Sequence, residues 1–313
     1  MRIERVAVIG AGVMGHGIAL SYALAGLEVR LTDSAEEPLS RGMAALDRDL
    51  ALLVEEAMVR PDDAVLARQR VVPGLDLAEV VREADLVTEC VPELLPLKHD
   101  LLARLEALAP PDAILASNTS TLPLAEVAAR ARRPERILLT HFFNPAHLVP
   151  LVEVLAHPSA PPGMVTEVLA LLRRAGKRPV SLLKESPGFI ANRLQVALVR
   201  EAFALLEAGV ASALDIEAAV TEGPGFRWPF IGPFETADLG GLDTWEKVIG
   251  NLAPHLSRAE EPPEALRAAV RRGDLGAKTG RGILPPSDRS AADRIRERDR
   301  ALIHLLRGKS RGR

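Results

Sequence analysis

With 313 residues, 48% of them hydrophobic and 26% charged, the chain has a globular balance and the length for two separate cores, which excludes a disordered or collagen-like polymer. No apolar run reaches the roughly 20 residues that span a bilayer and no signal-peptide pattern opens the chain, so a cytoplasmic protein without membrane contacts is expected. A net charge of −3 gives no general attraction to nucleic acid, and a single cysteine, Cys90, excludes an internal disulfide framework or a cysteine-built zinc site; no metal is expected.

Residues 3 to 9, IERVAVI, form a β-branched apolar run that stops at Gly10 and gives way to an Ala/Leu-rich stretch reaching Gly26. The pattern reads strand, glycine turn, helix. Further strand-like runs lie at residues 27 to 32, 85 to 90, 112 to 117, 136 to 141, 149 to 155 and 178 to 183, most of them separated by helical patterns. Alternation of this kind predicts an α/β fold, a doubly wound, mainly parallel sheet of the Rossmann type with helices on both faces. Past the breaker at residues 185 to 188 no further strand is evident, and helices are predicted near 189 to 208, 212 to 221, 235 to 252, 263 to 272 and 291 to 306. The expected organisation is therefore a dinucleotide-type domain over 1–185, an all-α domain over 186–286 and a charged helix or tail over 287–313. Apolar residues lie on several faces of the 189 to 208 helix, which predicts either deep burial or a subunit contact. Ile295, Leu302, Ile303 and Leu306 in the tail are spaced for one helical face, and the simplest role for that helix is docking on the body of the protein.

Gly10-Ala11-Gly12-Val13-Met14-Gly15 follows a strand and opens a helix, the context in which a glycine pattern carries chemical meaning. Gly10 permits a tight turn, Gly12 lets the backbone approach a pyrophosphate, and Gly15 lets the helix pack on the strand. The free N–H groups of the first helical turn then face the anion. Asp33, at the end of the second strand and 18 residues after Gly15, is placed to accept hydrogen bonds from an adenosine ribose. It would repel a 2′-phosphate, and Ser34 and Ala35 beside it offer no arginine to hold one, so NAD is expected over NADP. Asp33 could also cap the helix starting near Glu36.

If a nicotinamide accepts hydride from an alcohol carbon, the hydroxyl proton needs a base, and histidine suits that role near neutral pH. His16 lies in the glycine-loop helix, His99 on a helix, His157 and His255 beside loops, and His304 in the tail. His141 differs because it ends a buried strand run, at the sheet edge where α/β enzymes place functional groups. Glu153 follows 12 residues later inside another apolar run, a costly place for a carboxylate without a partner. On these residues alone, a structural His–Glu pair explains the pattern as well as a catalytic one.

Six segments in order, GAGVMGHGIA (10 to 19), ECVPE (89 to 93), ASNTSTL (116 to 122), HFFNPA (141 to 146), PLVEVL (150 to 155) and PGFIANR (187 to 193), make the chain resemble the NAD-dependent 3-hydroxyacyl-CoA dehydrogenase family to about residue 282. The resemblance implies that His141 is the general base in oxidation, that Glu153 orients it, and that Ser120 and Asn192 are polar groups around the substrate oxygen. From the residues alone, Ser120 could instead cap a helix starting near Leu124. The resemblance also places Glu93, Lys98 and Asn144 around the NAD ribose and nicotinamide, adds Lys278 as a late cofactor contact, and implies a homodimer. Without it, Lys98 reads as a solvated helix residue. Cys90 reads as packing, because this redox chemistry requires no thiolate.

Two departures bear on the substrate. The family's helical hairpin after the second strand carries lysines that meet the CoA phosphates, whereas residues 36 to 70 here contain no lysine and residues 55 to 58 read Glu-Glu-Ala-Met. Ser40, Arg41, Arg48 and Arg60 are the remaining candidates for CoA. GPGFRWPFIGPFE (223 to 235) and the extra charged helix resemble the lambda-crystallin branch, which includes L-gulonate 3-dehydrogenase and has carnitine dehydrogenase as a relative. The leading expectation is a short-chain L-3-hydroxyacyl-CoA dehydrogenase acting on a substrate such as 3-hydroxybutyryl-CoA. A dehydrogenase of a free 3-hydroxy acid is the alternative.

Overall fold

The computed structural model describes residues 2–311, with side chains through Lys309. Eight strands form one sheet: β1 (Arg5–Ile9), β2 (Glu28–Thr32), β3 (Val71–Pro73), β4 (Leu86–Glu89), β5 (Ile114–Ser117), β6 (Ile137–Phe142), β7 (Leu151–Ala156) and β8 (Arg178–Ser181), in the order β3-β2-β1-β4-β5-β6-β7-β8. Only β6 and β7 run antiparallel to each other. Successive residues of a strand face opposite sides of its sheet, and β1 uses both: Val6 and Val8 enter one apolar core, Ala7 and Ile9 the other. Helices therefore cover both faces. Strand order reverses between β1 and β4, opening a crevice at their carboxyl ends.

Seven strands fall on the predicted runs. β3 was not among them, because three residues ending in Pro73 carry little pattern; at the sheet edge the proline's missing N–H is tolerated. The helix predicted over 235 to 252 is two, Pro233–Gly240 and Leu242–Leu252, parted by Gly241 at φ 87°.

The chain forms two compact units, one running to Ile190 and resuming at Arg296, the other comprising Ala191–Ile295. The boundary thus lies a few residues beyond the expected 185, and most of the last helix, Ala291–Arg311, belongs to the first unit. There Ile303 is fully buried, with Leu302 and Leu306 packed beside it, while Ile295 stays exposed. Arg296 and Arg300 pair with Glu55, and Arg300 and His304 with Glu56, at the end of helix Glu36–Glu55. The second unit holds no strand among the described residues and buries only Ala269. Its helix Ala191–Glu207 has no buried residue, so deep burial does not account for its apolar faces; Leu194 and Val196 are both about 60% exposed. No helix among the described residues is long and apolar enough to cross a membrane.

Candidate active site

The antiparallel turn from β6 to β7 brings His141 opposite Glu153 in register, which explains why residues 12 apart in sequence meet. His141 Nδ1 lies 2.8 Å from Glu153 Oε2, with both residues buried. A carboxylate can only accept, so Nδ1 carries the hydrogen and Nε2 is the nitrogen left for a proton arriving from elsewhere. Glu153 Oε1 accepts the Ile190 N–H at 2.9 Å, which fixes the carboxylate. Phe143 and Phe189, with ring centroids 4.4 and 5.4 Å from the imidazole, hold its plane. Asn118 Oδ1 accepts the Phe142 N–H at 2.9 Å and ties the end of β6 to the loop after β5.

Beneath that loop lies a polar network. Lys98 is not the solvated residue its position suggests: it is fully buried, its ammonium 2.8 and 3.0 Å from the two oxygens of Glu89 and 3.5 Å from Glu93. Glu89 closes β4 at 1% exposure and also receives the Ser117 hydroxyl and the Val91 N–H. Glu93 Oε1 accepts the N–H groups of Ser120 at 2.9 Å and Thr121 at 3.0 Å, together with the hydroxyls of Thr119 and Thr121. Burial pushes the Glu93 carboxyl up, but these donors and the Lys98 charge outweigh it and hold the group down at about 2. Ser120 is therefore anchored through its backbone, and it caps no helix: the Leu124 N–H goes to Glu185 instead. Burial, then the Glu89 charge, pushes the Cys90 thiol well above its usual range, which keeps it from being a nucleophile.

At the head of β1, Gly10 has φ 96°, and a Cβ there would lie 2.8 Å from the Cys90 carbonyl oxygen. A Cβ on Gly15 would strike the Gly10 oxygen, while one on Gly12 would meet nothing within 4 Å. The loop is closed on the protein side and open where an anion would approach. Asp33 does not cap the following helix. Its Oδ2 accepts the Ala11 N–H at 2.7 Å and its Oδ1 the Ser34 N–H at 2.7 Å, so it shapes the glycine loop directly.

Comparison with known proteins gives this geometry a family. Residues 5–186 match the NAD-binding domain of 3-hydroxyacyl-CoA dehydrogenases and residues 188–285 match their C-terminal domain. The chain belongs to the 3-hydroxyacyl-CoA dehydrogenase family. It is 37% identical to an L-carnitine dehydrogenase of Streptomyces griseus subsp. griseus over 99% of this chain and 91% of that protein. It is 40% identical to a 3-hydroxyacyl-CoA dehydrogenase of Gibberella moniliformis over 99% and 96% of the two chains. A solved structure of 5-formyl-3-hydroxy-2-methylpyridine 4-carboxylic acid 5-dehydrogenase, an NAD-dependent dismutase, superposes with a TM-score of 0.90 at 32% identity, covering 97% of this chain and 98% of that one.

As a member of this family the chain is an NAD-dependent oxidoreductase, and its glycine loop fits that cofactor. Gly10, Gly12, Val13, Met14, Gly15 and Asp33 all lie in the first unit; Gly12 and the exposed Val13 are on the open side of the loop, Gly10 and Gly15 pack against the protein, and Asp33 braces the loop through the Ala11 N–H. Asn144 lies exposed just beyond β6 and precedes a cis Pro145. Asn192, in the first turn of Ala191–Glu207, and the exposed Lys278 belong to the second unit. Glu89 and Asn118 are the polar groups that sequence reasoning left without a role. A signal for Glu89 was present, since a carboxylate closing an apolar run calls for a partner as Glu153 does.

Proposed function

We propose that this family member oxidises the 3-hydroxyl of a small free acid of the carnitine or gulonate kind, rather than a CoA thioester. The supporting observation is the charge of the hairpin. Residues 36 to 70 hold eight carboxylates against five arginines. Of the candidates for CoA, Ser40 donates to Glu36, Arg41 pairs with Glu37 and Arg60 lies 3.9 Å from Asp62 and from Asp63, which leaves the exposed Arg48 as the one of the four without a partner among the described residues. Glu55 and Glu56 are held by the arginines of the last helix. A CoA thioester brings several phosphate charges that need cations free to receive them, and an acidic hairpin repels them instead. The named relatives of carnitine and pyridine-carboxylate chemistry agree with this reading. The relative named a 3-hydroxyacyl-CoA dehydrogenase favours the thioester, which is the second reading.

In the proposed mechanism NAD supplies the acceptor for the hydride leaving C3. His141 Nε2 takes the hydroxyl proton as the carbonyl forms and returns it in reduction. Glu153 holds Nδ1–H and stabilises the imidazolium. Ser120, in the same unit as His141, donates to the 3-oxygen, where negative charge gathers. Glu93, Lys98 and Glu89 hold the Ser120 loop in place without touching the reacting atoms.

Direct titration with free CoA tests the substrate class. No saturable binding is expected up to about 1 mM, the weak end of the affinity scale. A micromolar dissociation constant would return the assignment to the thioester.

A further inference from the structure

His16, the second residue of helix Gly15–Leu24, follows the glycine loop directly. Its Nδ1 lies 2.6 Å from the Gly12 carbonyl oxygen and its Nε2 lies 3.1 Å from Asp49 Oδ2. A carbonyl and a carboxylate only accept, so both contacts are made together only when both ring nitrogens carry hydrogen, that is, by the imidazolium. Asp49 is shared. His147, three residues beyond Asn144, has Nδ1 3.2 Å from the same Asp49 oxygen but off the hydrogen-bond line, and neither of its buried ring nitrogens has a hydrogen-bond partner. One carboxylate from the hairpin helix thus faces imidazoles from the glycine-loop helix and from the segment after β6.

We infer that His16 is a positioning residue of the dinucleotide site: as an imidazolium it holds the Gly12 carbonyl and brings a positive charge to the helix turn that receives the pyrophosphate. A carbonyl oxygen turned toward that anion would repel it, whereas one engaged by His16 leaves the N–H groups to face it. The charged groups that act on His16 are Asp49 and Arg48 from the hairpin helix; His147, from the segment after β6, feels Asp49, His16, Lys177 and Asp299. Burial and Arg48 oppose the charge on His16, but the Asp49 and Gly12 acceptors and the Asp49 charge outweigh them, and the imidazole is more basic than usual. Burial makes His147 less basic, so it is the neutral member of the pair.

A group whose proton is held more tightly than usual exerts its effect at low pH and loses it as pH rises. Binding of ADP-ribose to the full chain, without substrate, therefore weakens about threefold to tenfold between about pH 6 and pH 9, the loss of one nearby charge. Adenosine, which lacks the pyrophosphate, is the control and binds independently of pH. His16→Gln can still donate to Gly12 but cannot carry charge, so its ADP-ribose affinity is flat and equals the weak high-pH value of the unaltered protein. Asp49→Asn moves the transition to lower pH. Thermal unfolding of each variant verifies that it is folded. A pH dependence surviving unchanged in His16→Gln, or an equal dependence for adenosine, would overturn the inference.

Discussion

In His141→Ala, kcat falls by a factor of about 100 to 10,000, the span of a lost general base, while NADH affinity stays within about twofold. The reason is the position of the ring. Phe143 and Phe189 hold its plane, and Glu153, itself fixed by the Ile190 N–H, holds its Nδ1. Nε2 is left as the group to receive a proton. Alanine removes that group and leaves the glycine loop, on another strand end, unchanged. A variant that keeps most of its turnover would remove His141 from the chemistry, and one that loses NADH binding in parallel would mean that the substitution damaged the fold.

The largest expected stability effect lies one layer below. Lys98→Met leaves Glu89 at 1% exposure with only the Ser117 hydroxyl and the Val91 N–H as direct partners. Breaking a buried pair from one side costs about 3–5 kcal/mol, which lowers Tm by about 5–8 °C in a chain of this size. With Lys98 gone, the Glu89 carboxylate is left in the core without its counter-ion. The double variant Lys98→Met, Glu89→Gln recovers most of the loss, because it removes the uncompensated charge. A small deficit, or a double variant no more stable than Lys98→Met, would mean that the pair is not holding a charge in the core.

The sheet was legible wherever a run was long and apolar, and β3 was not, because an edge strand of three residues shows no period. His141 and Glu153 could be picked out from where they sit in such runs. What a linear reading could not supply was the register that puts them face to face. Lys98 shows the limit most clearly: between Leu97 and His99 nothing marks it as buried, and only the fold brings Glu89, nine residues back, onto its ammonium. His16 was passed over for the same reason. Its two acceptors come from a backbone carbonyl and from Asp49, 33 residues away, and a motif records neither.

Substrate class is read from the initial rate of NAD reduction by the purified protein with L-carnitine, L-gulonate, free L-3-hydroxybutyrate and L-3-hydroxybutyryl-CoA at equal concentrations. The expected result is a kcat/KM for one of the free acids at least about 100-fold above that for the thioester, the discrimination that follows when several phosphate charges meet an acidic surface. A thioester turned over faster than every free acid would contradict it, and would mean that groups outside the hairpin receive the CoA phosphates.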